Sequence, residues 1–85
     1  MNKESIRDLG SLMKLIIEAV EAGRCYFRPG DLRSAKEIIG TKLWTEIEKY
    51  GMERVAGKLF AAVADEFGFS FVRNDTNKAK LYALK

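Results

Sequence analysis

The sequence predicts an α+β fold in which helices precede a C-terminal β-hairpin. Over residues 6–20 and again over 52–67, apolar residues recur at three- and four-residue spacing, a pattern typical of helices that cover a core. Residues 69–71 and 79–81 instead alternate between apolar and polar side chains, and the turn-forming residues 74–77 separate them. Two amphipathic helices and a terminal hairpin therefore set the fold class.

Length and composition indicate one globular domain spanning residues 1–85. The chain is below the usual domain size of roughly 100–150 residues, and its 47% hydrophobic and 32% charged residues are typical of a folded protein. The single cysteine excludes an intrachain disulfide. The absence of histidine removes histidine-based zinc sites and general-base catalysis. With no glycine-rich phosphate loop and no nucleophile motif, we expect neither an enzyme nor a cofactor.

The apolar stretches are too short and too charged for a membrane span, and the N-terminus does not resemble a signal peptide. We therefore expect a soluble, cytoplasmic protein without a membrane partner. The lone thiol of Cys25 also fits a reducing compartment, and we expect it to behave as a small buried hydrophobic residue.

The first helix is predicted to begin at Ser5, with Asp8 completing a capping box, and to end at Gly23. Its apolar residues span an arc of about 200°, wider than one core-facing stripe, which predicts deep burial or a second partner. Residues 24–28 are rich in aromatic side chains and predict a strand. Pro29-Gly30 then fits the central positions of a type II turn.

A short helix is predicted next, capped by Asp31 or Ser34 and ending near Gly40. Thr41 is predicted to cap a further helix that continues to Tyr50. Its inward side chains are expected to be Leu43, Trp44 and Ile47, with Trp44 as a core anchor. Gly51 separates this helix from the one predicted over residues 52–67. In the hairpin we expect the inward side chains to be Phe69, Phe71, Ala79 and Leu81. The alternate positions carry Val72, Tyr82 and Leu84, which are hardly polar, so the sequence leaves open which face of the hairpin is buried.

This order of elements resembles the winged helix-turn-helix fold over nearly the whole chain. The resemblance also depends on the succession Trp44, Ile47, Gly51, Arg54, Gly57 and Phe60, which looks like that of small bacterial and phage winged-helix proteins of unassigned function. The segment 33–40 departs from the fold as an extra helical piece. The resemblance implies a small transcriptional-regulator-like protein that binds double-stranded DNA.

The resemblance places the 52–67 helix in the recognition position, where Arg54 and Lys58 would reach bases or phosphates in the major groove. Gly57 and Ala61 would then let the helix backbone approach the DNA. The alternative is that the two small residues permit close packing on another helix, and that the two cations are a solvated face. The three acidic residues of this helix, Glu53, Asp65 and Glu66, favour the alternative.

The hairpin carries the whole excess of positive charge. Residues 1–67 balance to zero, whereas residues 68–85 hold four basic residues against Asp75 alone. We therefore predict that Arg73, Lys78 and Lys80 contact DNA phosphates as a basic wing. The alternative is that these cations only discourage edge-to-edge strand pairing. Tyr26 and Tyr82 could stack on bases, but strand aromatics are more often core residues.

So few cations predict weak binding by a monomer, and we therefore expect a homodimer. The wide apolar arc of the first helix offers a two-fold interface through Leu12, Leu15 and Ala19. A second hypothesis is a non-enzymatic protein-interaction module, since winged-helix domains also serve as docking surfaces and fold alone does not determine function.

Overall fold

The computed structural model describes residues 6–76 and 79–85, and the fold is α+β. Four α-helices begin and end within the described residues, together with two 3-10 turns and a three-stranded antiparallel sheet. In chain order they are α1 (Leu9–Gly23), a 3-10 turn (Arg24–Tyr26), β1 (Leu32–Ser34), α2 (Ala35–Ile39), α3 (Thr41–Lys49), α4 (Glu53–Val63), a second 3-10 turn (Ala64–Phe67), β2 (Phe69–Asn74) and β3 (Lys80–Leu84).

Helix α1 begins at Asp8, which is its N-cap and not the third residue of a capping box. The Asp8 carboxylate accepts a hydrogen bond of 2.9 Å from the backbone N–H of Ser11. Because this bond favours the ionised carboxylate, it lowers the pKa of Asp8 below its ordinary value of 3.8. The predicted cap residue, Ser5, lies outside the described residues.

The strand predicted over residues 24–28 is wrong. Residues 24–26 extend α1 as a 3-10 turn, and the strand forms later, at Leu32–Ser34. The type II turn predicted at Pro29-Gly30 lies between the 3-10 turn and β1, and it is confirmed. Gly30 has a φ of 89°, and the N–H of Asp31 donates to the carbonyl of Arg28 at 3.1 Å.

Helix α2 has the capping box predicted at Ser34. The Ser34 side chain accepts from the Glu37 N–H, and the Glu37 carboxylate accepts from the Ser34 N–H. The cap predicted at Thr41 is wrong, because Gly40 is the N-cap of α3 and gives no side-chain hydrogen bond. The two helices meet at Gly40, whose φ of 101° lets the chain reverse direction there.

A short turn through Gly51 joins α3 to α4. The N–H of Met52 donates to Ile47 and the N–H of Gly51 donates to Glu48, each at 3.0 Å, while Gly51 has a φ of 68°. These are the bonds of a Schellman motif, which closes a helix with a left-handed glycine. Helix α4 then begins at Glu53 and is shorter than predicted, because its last turn is the 3-10 turn Ala64–Phe67.

The sheet has the strand order β1-β3-β2, so the C-terminal strand is central. Directly paired residues of antiparallel strands share a face, which places Tyr82 with Phe71 and Leu84 with Phe69 on the side that meets the core. A bulge at Val72 then shifts the register, so that Arg73 pairs with Leu81 on the outer face.

The inward orientation predicted for β3 is therefore wrong. Tyr82 is buried and Leu84 is partly buried against the core, whereas Leu81 belongs to the outer face and Ala79 is an exposed residue before the strand. Phe69 is buried as predicted, but Phe71 is 52% exposed because it lies towards the tip of the hairpin.

The core fills the space between α1, α4 and the inner face of the sheet, with α2 and α3 closing one side. Phe60 of α4 lies at its centre, with ring centroids 4.9 Å from Tyr82 and 6.3 Å from Phe69. Other side chains with almost no exposure come from the helices: Ile6, Leu12, Ile16, Val20, Ile38, Ile47 and Ala56. No described helix is long and apolar enough to cross a membrane.

This packing removes Leu12 from the interface predicted on α1. Leu12 is completely buried in the chain's own core, and Leu15 and Ala19 are partly buried against it. Because α1 packs on α4 at one side and on α2 at the other, the chain itself covers most of the wide apolar arc. Leu12 is therefore unavailable to a second copy.

Candidate functional site

An open groove of about 1030 Å³ runs along the outer face of α4, and we call it the α4 groove. Helix α4 forms one wall, and the N-terminal turn of α2 and the beginning of β3 form the others. Its lining residues are Ser34, Ala35, Lys36, Trp44, Glu53, Arg54, Gly57, Lys58, Ala61, Ala79, Lys80 and Tyr82.

Positive charge dominates the α4 groove. Four cationic side chains line it, Lys36, Arg54, Lys58 and Lys80, whereas Glu53 is the single carboxylate. Lys36 lies 4.0 Å from Glu48, but the described residues provide no ion-pair partner for the other three cations. Neighbouring unpaired cations repel one another, and an anion in the groove would relieve that repulsion.

The acidic residues that made the 52–67 helix a poor candidate lie mostly outside the groove. Asp65 and Glu66 belong to the 3-10 turn after α4, and Asp65 forms an ion pair of 3.1 Å with Lys85. Helix α4 itself contains Glu53 against two cations, Arg54 and Lys58. Its outer face is thus more basic than the predicted helix as a whole.

Gly57 lies on the outer face of α4, between Arg54 and Lys58. A Cβ built on Gly57 would meet no heavy atom within 4 Å apart from the backbone of its own helix. Packing among the described residues therefore gives no reason for glycine here, and the predicted alternative of close helix packing is not supported. Glycine inside a helix costs about 1 kcal/mol relative to alanine.

Two aromatic side chains also line the α4 groove. Trp44, predicted as an inward core anchor, is only partly buried and borders the groove from α3. Tyr82 is 4% exposed, and its ring packs edge-on against Phe60 and Phe71. Burial raises the pKa of Tyr82 above its ordinary value of 10.0, so its hydroxyl stays protonated at neutral pH.

The structure brings together three of the five residues predicted to bind DNA, namely Arg54, Lys58 and Lys80. Arg73 is exposed on β2 but does not line the groove, and its pairing with Leu81 places it on the outer face of the sheet. Lys78 lies outside the described residues. The basic wing predicted as one unit is therefore divided: Lys80 belongs to the groove and Arg73 does not.

Comparison of the chain with protein-family models, with curated proteins and with solved structures gives no match.

Three further residues, Lys36, Trp44 and Tyr82, complete the α4 groove. Lys36 was not considered as a binding residue, Trp44 was predicted only as a core anchor, and Tyr82 was considered for base stacking but the core was favoured. Lys36 gave no signal in the sequence, because only the tertiary contact between α2 and β3 carries it to α4. Trp44 did give a signal in the sequence. It lies on the first helix of the predicted helix-turn-helix, where a tryptophan can border the second helix as well as fill the core.

A second, smaller depression of about 560 Å³ lies between the end of α1 and the junction of α2 with α3. Lys42 and Tyr26 line it beside small and apolar side chains. Tyr26 is 83% exposed and Cys25 is also exposed, so both were wrongly predicted to be buried. The described residues contain no cluster of three or more cysteine or acidic side chains that could hold a metal ion.

Proposed function

We propose that this protein binds double-stranded DNA through the α4 groove. The observation that carries the proposal is the convergence of Arg54, Lys58 and Lys80, from separate parts of the chain, with Lys36 as a fourth cation. A groove with four cations and one carboxylate has the charge expected of a surface that meets phosphates.

The arrangement of elements supports a winged-helix fold for the chain. Helices α3 and α4 follow one another across a short turn containing Gly51, as in a helix-turn-helix unit. A C-terminal hairpin follows α4, and β1 pairs with its last strand. The extra helix, α2, borders the groove and leaves the outer face of α4 open, so it does not obstruct the recognition position.

In this proposal α4 enters the major groove of the duplex with its outer face. Arg54 and Lys58 reach bases or phosphates, and Lys80 contacts the phosphate backbone beside them. Because Gly57 has no side chain, the backbone of α4 can approach the DNA more closely there than alanine would allow. The small side chain of Ala61, one turn further along, continues this low surface.

Fluorescence anisotropy with a random duplex of about 25 base pairs, measured over a series of salt concentrations, tests the proposal. Three or four phosphate contacts predict a log–log slope of about −3 to −4, and replacing Arg54 and Lys58 with glutamine should reduce that slope by about 2. The matched control replaces Arg28 and Lys42, which are exposed outside the groove, and should keep the wild-type slope.

Absence of binding at low salt, or a slope near zero, would contradict the proposal. Either result would favour the second hypothesis, a protein-interaction module. Phe71 and Val72 supply a surface for that function, because they are 52% and 49% exposed on an edge strand of the sheet.

A further inference from the structure

The Tyr82 side chain is buried, but its hydroxyl has no hydrogen-bond partner in the part of the chain that the structure describes. The residue is only 4% exposed. The described part of the chain also has no fully buried side-chain nitrogen or oxygen that lacks a partner. The hydroxyl must therefore reach solvent-accessible space, and the space that Tyr82 borders is the α4 groove.

The tyrosine ring is held firmly in place. Its centroid lies 4.9 Å from that of Phe60 and 6.1 Å from that of Phe71, both in edge-to-face geometry. Its backbone belongs to the central strand, paired with Arg33 of β1 on one side and Phe71 of β2 on the other. A donor on a ring fixed in this way loses little conformational entropy when it binds a ligand.

Tyrosine suits a position where the ring is buried and the hydroxyl end meets solvent or a partner outside the core. Phenylalanine would fill the same apolar site but would present no donor to the groove. The hydroxyl therefore adds nothing to the packing of the core, and its position in the groove gives it access to a ligand.

We propose that the Tyr82 hydroxyl donates a hydrogen bond to a phosphate oxygen of the bound DNA, at a position whose charge is neutralised by Lys80. This inference deepens the proposed function and rests on it. Lys80 lies two residues before Tyr82 on β3, so both side chains belong to the same face of the strand. The pair would supply a neutral, directional donor and a mobile cation to one phosphate.

The charge of the α4 groove favours a phosphate over other acceptors. Arg54, Lys58 and Lys80 have no ion-pair partner among the described residues, and a neutral acceptor would leave their charge without compensation. A phosphate offers negative charge and several acceptor oxygens together. The hydroxyl is in its donating form throughout the physiological pH range, because the ordinary pKa of tyrosine is already 10.0 and burial raises the pKa of Tyr82 further.

Replacing Tyr82 with phenylalanine tests the inference, because the change removes the hydroxyl and keeps the ring. We expect duplex affinity to fall about ten-fold, as for the loss of one hydrogen bond to a charged group. The salt slope should stay the same because no cation is lost. The midpoint of thermal unfolding should not fall, since the hydroxyl has no partner among the described residues. Tyr26→Phe is the matched control, and its affinity should equal that of the wild type.

The outcomes separate this inference from the proposed function. Equal duplex affinity for wild type and Tyr82→Phe would overturn the inference and leave the DNA proposal standing. A lower unfolding midpoint in proportion to the loss of affinity would assign the hydroxyl a structural role and also overturn it.

If the wild type does not bind duplex at low salt, the proposed function fails and this inference fails with it. If duplex does bind, an NMR titration with inorganic pyrophosphate tests the phosphate position at Tyr82 directly. Shifts of the Tyr82 ring resonances that Tyr26 does not show would support a phosphate position. Unchanged Tyr82 resonances would overturn it.

Discussion

The two faces of α4 differ in how far contacts within the chain account for their side chains. The inner face carries the buried residues Ala56, Phe60 and Val63. Helix α4 packs on α1, and the Phe60 ring packs against Phe69 and Tyr82 of the sheet. The outer face carries two cations that have no ion-pair partner among the described residues, and a glycine whose added Cβ would meet none of the other described side chains within 4 Å. The inner face can be explained by folding alone, whereas the proposed function assigns the outer face to a ligand of opposite charge.

This comparison predicts that substitutions on the two faces have separable effects. Inner-face changes should alter the free energy of unfolding, and outer-face changes should alter affinity for DNA with little effect on stability. Tyr82 of β3 contacts both sides of this comparison, because its ring lies in the core and its hydroxyl reaches the α4 groove.

The largest expected effect is on the inner face. Phe60→Ala removes a completely buried ring that packs against Phe69 and Tyr82. The lost transfer free energy and the cavity should together lower the free energy of unfolding by about 3–5 kcal/mol. Urea denaturation measures the change, and a loss below about 1 kcal/mol would contradict the central position given to this ring.

A smaller effect is expected from cations on the two faces of the sheet. Lys80→Gln should weaken duplex binding several-fold and reduce the log–log salt slope by about 1, because Lys80 lines the α4 groove. Arg73→Gln removes the same charge from the outer face and should change the slope much less. Anisotropy over a salt series compares the two variants. Equal losses of affinity and of salt slope in the two variants would show that Arg73 and Lys80 act together as one wing.

The smallest expected effect is at Gly57, where stability and affinity should move in opposite directions. Gly57→Ala improves helix propensity and meets no protein atom, so it should raise the free energy of unfolding by about 0.5–1 kcal/mol. The added methyl group should weaken duplex binding by separating α4 from the DNA. Thermal unfolding and anisotropy on the same preparation measure both quantities.

Ala62→Gly is the control for Gly57→Ala, because Ala62 is exposed on α4 and does not line the groove. It should destabilise the helix and leave affinity unchanged. A Gly57→Ala variant that is more stable and binds duplex as tightly as the wild type would contradict a close approach of the α4 backbone to the DNA at Gly57.

Features fixed by neighbouring residues could be predicted from the sequence. The Ser34–Glu37 capping box and the Pro29-Gly30 turn each depend on a few consecutive residues, and both form as predicted. The apolar face of α4 was also predicted correctly, because it follows from helical spacing alone.

Features fixed by distant contacts could not be predicted in this way. The strand Leu32–Ser34 has three residues and exists because it pairs with β3, about fifty residues later in the chain. The face that β3 turns inward was ambiguous, since apolar residues occur at both sets of alternate positions. Lys36 could not be predicted as a site residue either, because its place in the groove depends on how α2 packs beside the sheet.

The most direct test of the account is a map of where duplex DNA contacts the folded chain. Amide chemical shifts recorded by NMR during titration with a short random duplex at low salt provide that map. We predict that the largest changes occur at Arg54, Gly57, Lys58 and Lys80, around the α4 groove. Changes centred instead on the outer face of the sheet near Arg73, or no changes at all, would contradict it.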